Sequence, residues 1–331
     1  MDISLGMWVA FNAFVLAMIA LDLGVFHRKA HAVSLREAAT WSIVWVVLAL
    51  GFGAWIWSAW GEEAGLQFLT GYLIEKSLSV DNIFVFVMLF TYFAVPAQYQ
   101  HRVLIWGIIG ALIMRGAFIA AGAYVLERFD WVLYVFGAIL ILTGLKMLRR
   151  TESFSPEMNP FIGFVRRWLP MTDRYHGERF WVKEGVRWVA TPLFLVLLLV
   201  EASDLVFAID SIPAIFAVTR EPFLVFTANV FAILGLRSMY FLLAGVVHRF
   251  VYLKVGLAAV LVFVGVKMMI VEFYHIPVAV SLAVILGVIT GSIVVSLRKT
   301  RAGSNGSSGE GGPGGLPGQN PATTDPAQAV R

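Results

Sequence analysis

Nine apolar runs, each about as long as a bilayer crossing, dominate this chain of 331 residues. A hydrocarbon core of about 30 Å takes roughly 20 apolar residues as a helix. Only helices and closed barrels satisfy their backbone polar groups there. The runs lie at about 5–26, 39–57, 66–94, 103–126, 131–148, 190–218, 222–246, 251–272 and 277–297. Charged residues are 14% of the chain and hydrophobic residues 59%, against about 25% charged in soluble domains. The expected fold is an all-α polytopic membrane protein with nine transmembrane helices. The opening segment MDISLGMWVAFN reads as the start of the first membrane helix rather than as a signal peptide.

Loop charge then orients the chain. With the N-terminus outside, the inside loops hold 17 Lys and Arg residues and the outside loops hold only Arg128 and Arg220. That bias follows the positive-inside rule and places the C-terminus in the cytoplasm. The basic residues are dispersed among loops, so membrane topology explains them and no nucleic-acid partner is expected. Residues 149–189 form the long cytoplasmic loop, in which FVRRWLP and GERFWVKEGVRWV mix Arg and Trp. Such a mixture suits a segment lying on the membrane surface, and equally an ordinary anchored loop. The transporter domain is expected over residues 1–300. Residues 301–331, rich in Gly, Ser and Pro, are expected to be a disordered tail.

Two of the runs carry acids well inside them. One contains Glu75-Lys76-Ser77-Leu78-Ser79-Val80-Asp81-Asn82, the other Glu201-Ala202-Ser203-Asp204 and then Asp210-Ser211. Glu75, Lys76, Asp81, Arg115, Glu201, Asp204, Asp210 and Arg237 all fall well inside runs. Left unpaired, these groups would cost about 20–28 kcal/mol on the helix-insertion scale, more than the stability of an ordinary domain. They must face one another or a wet cavity. Five acids against three bases leave two formal negative charges, which a divalent cation or two protons would balance equally well.

At 3.6 residues per turn Glu75, Ser79 and Asn82 share a stripe, and Asp81 points elsewhere. Glu201 and Asp204 share another stripe, with Asp210 opposite. The second acidic helix therefore either separates two polar environments or is unwound, and Pro213 favours a break. Carboxylate, hydroxyl, amide and carbonyl oxygens suit Mg²⁺, Ca²⁺ or Mn²⁺. There is no cysteine, and all six histidines fall in loops or at helix ends. Arg115, Arg237 and Lys76 read as charge partners rather than ligands. Asp22, Ser79, Ser211 and Asn229 are candidates to line a path. An all-structural network of buried ion pairs would explain the same residues.

The two acidic segments also open similar units, at about 66–148 and 190–272. Asp81, Arg115 and Gly144-Leu145-Lys146-Met147 recur in order as Asp204, Arg237 and Gly265-Val266-Lys267-Met268, with spacings of 34 and 29 against 33 and 28. Each unit holds three helices, so the second is inverted relative to the first, a plan common among secondary transporters. Gly287 and Gly291 form a GxxxG spacing suited to packing a helix pair. Walker, GxSxG and HExxH motifs are absent, so neither an enzyme nor a prosthetic group is expected.

The segments EKSLSVDNIFVF, VEASDLVFAIDSIPAIFAVT, TANVFAILGLRSMYFLL and NPFIGFVRRWLPMTDRYHGERFWV closely resemble the TerC family of integral membrane proteins, in its Alx-like branch. The resemblance runs from about residue 5 to residue 300. It implies kinship with LysE-type exporters built from two three-helix units. It also implies manganese(II) export across the bacterial cytoplasmic membrane, linked to alkaline pH. By position, the family's acidic motifs carry onto Glu75, Asp81, Asn82, Glu201, Asp204 and Asp210 as the Mn²⁺-binding set. The expected activity is Mn²⁺ export, with exchange against protons as one means of balancing charge. The alternative is a membrane scaffold or stress-resistance (tellurium-resistance) component acting through its cytoplasmic loop.

Overall fold

The computed structural model describes residues 3–26, 34–149, 163, 167–244 and 252–306. Helices α1 (Leu5–Phe26), α2 (Leu35–Trp60), α3 (Glu62–Tyr92), α4 (Ala97–Arg128) and α5 (Val132–Arg149) come first. A hairpin of β1 (Trp181–Glu184) and β2 (Arg187–Ala190) follows. Then come α6 (Pro192–Phe216), α7 (Pro222–Leu234), α8 (Leu236–Leu243), α9 (Leu253–Met269) and α10 (Val278–Gly306). Among the described residues, each apolar run of the sequence is mostly helix.

Six helical stretches among the described residues are long and apolar enough to cross a membrane: α2, α4, α5, α6, α7 with α8, and α10. Their outward faces are apolar, with Ile113 69% and Leu142 67% exposed. In water such patches would drive aggregation, whereas in a bilayer they face lipid. The molecule is an integral membrane protein.

Local chemistry sets the helix limits. Ser34 caps α2 by accepting a hydrogen bond from the Glu37 backbone N–H, with Glu37 in the first turn. Gly61, at φ +92°, turns α2 into α3 in a conformation that excludes most side chains. Pro192 opens α6, where its missing N–H costs nothing.

The break expected at Pro213 is not there. Proline sits in the last turn of α6, which runs unbroken to Phe216; its φ suits a helix and only one backbone bond is lost. The break falls instead in the seventh run, at Gly235 between α7 and α8. Lys76 reaches that end of α7, its Nζ 3.5 Å from the Ala232 carbonyl oxygen. A cation is favoured there by the helix dipole and the unsatisfied carbonyls.

The tightest helix pair is α5 with α9. Added Cβ atoms show how close the backbones come. At Gly144 one would lie 2.8 Å from the Ala258 carbonyl oxygen and 2.8 Å from Val262; at Gly265, 2.7 Å from the Gly137 carbonyl oxygen and 2.8 Å from Ile141. Helix α3 packs on α2, α6 and α7, and α4 packs on α6 and α7. The expected GxxxG pair does not pack against the described residues: none of them lies within 4 Å of a Cβ at Gly287 or Gly291.

The long loop holds strands that the reading as a surface segment did not include. Val182 pairs with Val189, both buried, and Lys183 with Trp188 on the open face. Gly185, at φ +61°, fills the first position of the two-residue turn, as a type II′ hairpin requires. The loop is tied down by Tyr175, whose hydroxyl donates to the Phe93 carbonyl (2.7 Å), and by Arg102, which donates to Glu178 (3.3 Å). Helix α10 continues to Gly306, past the expected start of the tail; residues 307–331 lie outside the described residues.

Candidate functional site

Arg115 of α4 is the centre of the buried charge. Its Nε and Nη2 grip Asp204 of α6 at 3.0 and 2.8 Å. Its Nη1 pairs with Glu75 of α3 and donates to Ser211 at 3.3 Å. Asn82 donates at 3.3 Å to Asp204 Oδ1, the oxygen that Nη2 also holds. Glu75 and Arg115 are 1% exposed and Asp204 4%, so this is a desolvated ion cluster whose members depend on one another. The planar guanidinium suits the bidentate grip on Asp204.

Beside the cluster is a cavity of about 360 Å³. Helix α3 contributes Glu75, Asp81 and Asn82, and α6 contributes Asp210 and Ser211. Lys146 and Thr143 enter from α5 and Lys254 from α9. Thr143 donates to Asp210 at 2.8 Å. Two buried acceptors in this lining, Glu75 Oε2 and Asn82 Oδ1, have no hydrogen-bond partner among the described residues.

The structure thus gathers five of the six proposed ligands, with Glu75, Asp81, Asn82 and Asp210 on the cavity and Asp204 behind them on Arg115. Asp81 shares the cavity with Glu75 and Asn82, where the stripe argument pointed it elsewhere, because the cavity spans a wide arc of α3. Glu201 does not line it. Its carboxylate lies against Gly110 of α4, where even a Cβ would overlap it, and its Oε2 is buried without a partner among the described residues. Of the two alternatives for α6, separate polar environments along an unbroken helix is the one observed. Among the described residues no three His, Cys, Asp or Glu side chains already converge as a metal-holding group.

The remaining candidates divide. Ser211 touches the cluster. Ser79 instead donates to the Glu75 carbonyl of its own helix at 2.8 Å. Asn229 is buried on α7, its Nδ2 without a partner among the described residues, and it is not part of the cavity lining. Arg237 of α8 lines a narrow crevice on Asp204 together with Gly107 and Val200, so the two arginines are not used alike. The Asp22 side chain lies outside the described residues. Thr143, Lys146 and Lys254 were missed as site residues; the signal available was that each is polar near the end of an apolar run.

These features define a helical integral membrane protein with a buried carboxylate–guanidinium centre opening on a charged cavity. Residues 60–304 match the family described as "Integral membrane protein TerC family". The chain belongs to the TerC family. It is 60% identical over 297 residues to "Uncharacterized membrane protein STKORF319" of Myxococcus xanthus, covering 89% of this chain and 93% of that one. It is 51% identical over 300 residues to "Putative membrane-bound redox modulator Alx" of Escherichia coli (strain K12), covering 88% and 94%. An uncharacterized membrane protein of Rickettsia felis is 41% identical over 292 residues, covering 88% and 97%. No solved structure matches the chain.

Proposed function

We propose that this protein is a carrier, not an enzyme, that exports manganese(II) across the bacterial cytoplasmic membrane through the α3–α5–α6–α9 cavity. The observation that carries the reading is a cavity inside a membrane-embedded helix bundle, lined by carboxylates and by buried oxygen acceptors left without partners. A hard cation would satisfy Glu75 Oε2 and Asn82 Oδ1 and draw on Asp81 and Asp210. Manganese, among the hard cations, is favoured by the family resemblance. Arg115 would hold Glu75 and Asp204 in place, and the centre needs no prosthetic group.

Nine crossings with the N-terminus outside and an inverted repeat complete this reading. The repeat is supported by reciprocal packing: α3 lies on α7 as α4 lies on α6. An offset of 121 residues carries Gly137, Ile141 and Gly144 onto Ala258, Val262 and Gly265, so each glycine meets the counterparts of the other's neighbours. Rocking of the two units would expose the cavity to either side. The Alx relatives carry the name "redox modulator", which suggests a different output. With no cysteine in the chain, thiol–disulfide exchange is not available to it, and we read any redox effect as secondary to metal movement.

The test is flux in liposomes holding the purified protein, with Mn²⁺, Ca²⁺, Mg²⁺ and Zn²⁺ compared across a pH gradient. Mn²⁺ should move and Zn²⁺ should not. Loss of even an outer-shell partner costs metal sites about 10–100-fold, so Asp81→Asn should lower Mn²⁺ flux by at least that much while the protein still inserts. Normal flux in that variant would sink the site assignment. Loss of function on shortening the 149–189 loop, with no metal movement by the intact protein, would favour the scaffold alternative.

A further inference from the structure

The count of five mid-run acids against three bases leaves two negative charges, and it treats Lys146 and Lys254 as ordinary helix-end residues. The structure puts both on the cavity that Asp81 and Asp210 line. Lys254 stands in the first turn of α9 and Lys146 in the last turn of α5. Arg115 cannot serve these two acids, since all three of its nitrogens are engaged with Glu75, Asp204 and Ser211. Glu75 and Arg115 are the other charged groups lining the cavity. With the two lysines counted, bases equal acids.

We infer that Lys146 and Lys254 are tethered counter-cations, which neutralise Asp81 and Asp210 while the cavity is empty and withdraw when a divalent cation enters. Residue type fits the role. Arginine grips a carboxylate through a rigid fork, as Arg115 does, whereas lysine carries a point charge on a flexible four-carbon stem that can swing away. Two ammonium groups and one divalent cation carry the same charge, so the cavity acids stay balanced whether loaded or empty. No proton is then needed to make the empty centre tolerable within the membrane. The neutralising half stands without any assumption about cargo; the withdrawal half rests on the cation-carrier reading above.

The two halves separate experimentally. Lys146→Met with Lys254→Met keeps the length of the stems and removes both charges. In detergent this protein should melt about 5–10 °C earlier than the parent. Adding Asp81→Asn and Asp210→Asn should restore the melting point. If the lysine variant does not fold at all, recovery of folded protein in the fourfold variant carries the same meaning. An unchanged melting point in the lysine variant, or no recovery in the fourfold one, overturns the inference. Titration with Mn²⁺ alone then tests withdrawal: the lysine variant should bind at least about tenfold more tightly (a tenfold change being 1.4 kcal/mol), because its competitors are gone. Equal Mn²⁺ stabilisation of both proteins would overturn withdrawal. Absence of any Mn²⁺ shift in either protein would sink the cargo reading and withdrawal with it, leaving neutralisation to be judged by the melting series.

Discussion

Replacing Arg115 with methionine is expected to leave little folded protein in the membrane. Glu75 and Asp204 are almost fully buried, and the guanidinium is their shared partner. Removing one member of a buried ion pair typically costs about 3–5 kcal/mol, because the other charge is left uncompensated. Here two carboxylates are left at once, against a total stability of about 5–15 kcal/mol for ordinary domains. Arg115→Lys should recover little, since one ammonium cannot hold Asp204 by two parallel bonds and reach Glu75 as well. The revealing variant is Arg115→Met with Glu75→Gln and Asp204→Asn, which removes the charges together. It should recover most of the monodisperse protein seen by size-exclusion chromatography and most of the melting temperature, while remaining inactive in flux. Wild-type yield and melting in Arg115→Met alone would show that the cluster does not hold the helices.

The helices were legible because the bilayer sets both length and composition, and even the charged third run became a single helix. Residue-level placement was less legible, for identifiable reasons. Stripe arithmetic treats a helix as facing one direction, but the cavity takes Glu75, Asp81 and Asn82 from a wide arc of α3. Lys146 and Lys254 looked like helix ends by position along the chain, yet both line the cavity. Pro213 drew attention as a breaker although a proline in the last turn disturbs little. Gly235, unremarked within TANVFAILGLRSMYFLL, is where the chain breaks: a Cβ there would come within 2.6 Å of Lys76 Nζ and 3.3 Å of Trp45. Glu201 carries the same chemistry as its neighbours but turns toward Gly110, a rotation that no local pattern encodes. The hairpin was readable in outline, since Val182 and Val189 lie on either side of a Gly-Val turn, but the abundance of Arg and Trp suited an interfacial segment as well.

Gly144→Leu and Gly265→Leu should each disrupt the protein severely and to a similar degree. At both positions the obstacle is backbone: the Ala258 carbonyl oxygen 2.8 Å from a Cβ at Gly144, and the Gly137 carbonyl oxygen 2.7 Å from one at Gly265. A flexible side chain can rotate away, but a carbonyl moves only with its helix. Extra methylenes in a packed interior cost about 1–3 kcal/mol, and a leucine here must also separate α5 from its main partner α9. Small residues at such crossings let membrane helices approach closely, and dispersion and polar contacts across them replace the hydrophobic drive that lipid removes. Gly287→Leu and Gly291→Leu provide the control, because among the described residues a Cβ at either position meets nothing within 4 Å and leucine is the better helix former. Melting curves of the four variants decide two matters. Damage at 144 and 265 without damage at 287 and 291 would show that the α5–α9 crossing is the packed one. Equal damage at 144 and 265 is what two units related by an inverted repeat require, since each glycine then meets the other's environment; a large loss at one and none at the other would argue that the units have diverged beyond that symmetry.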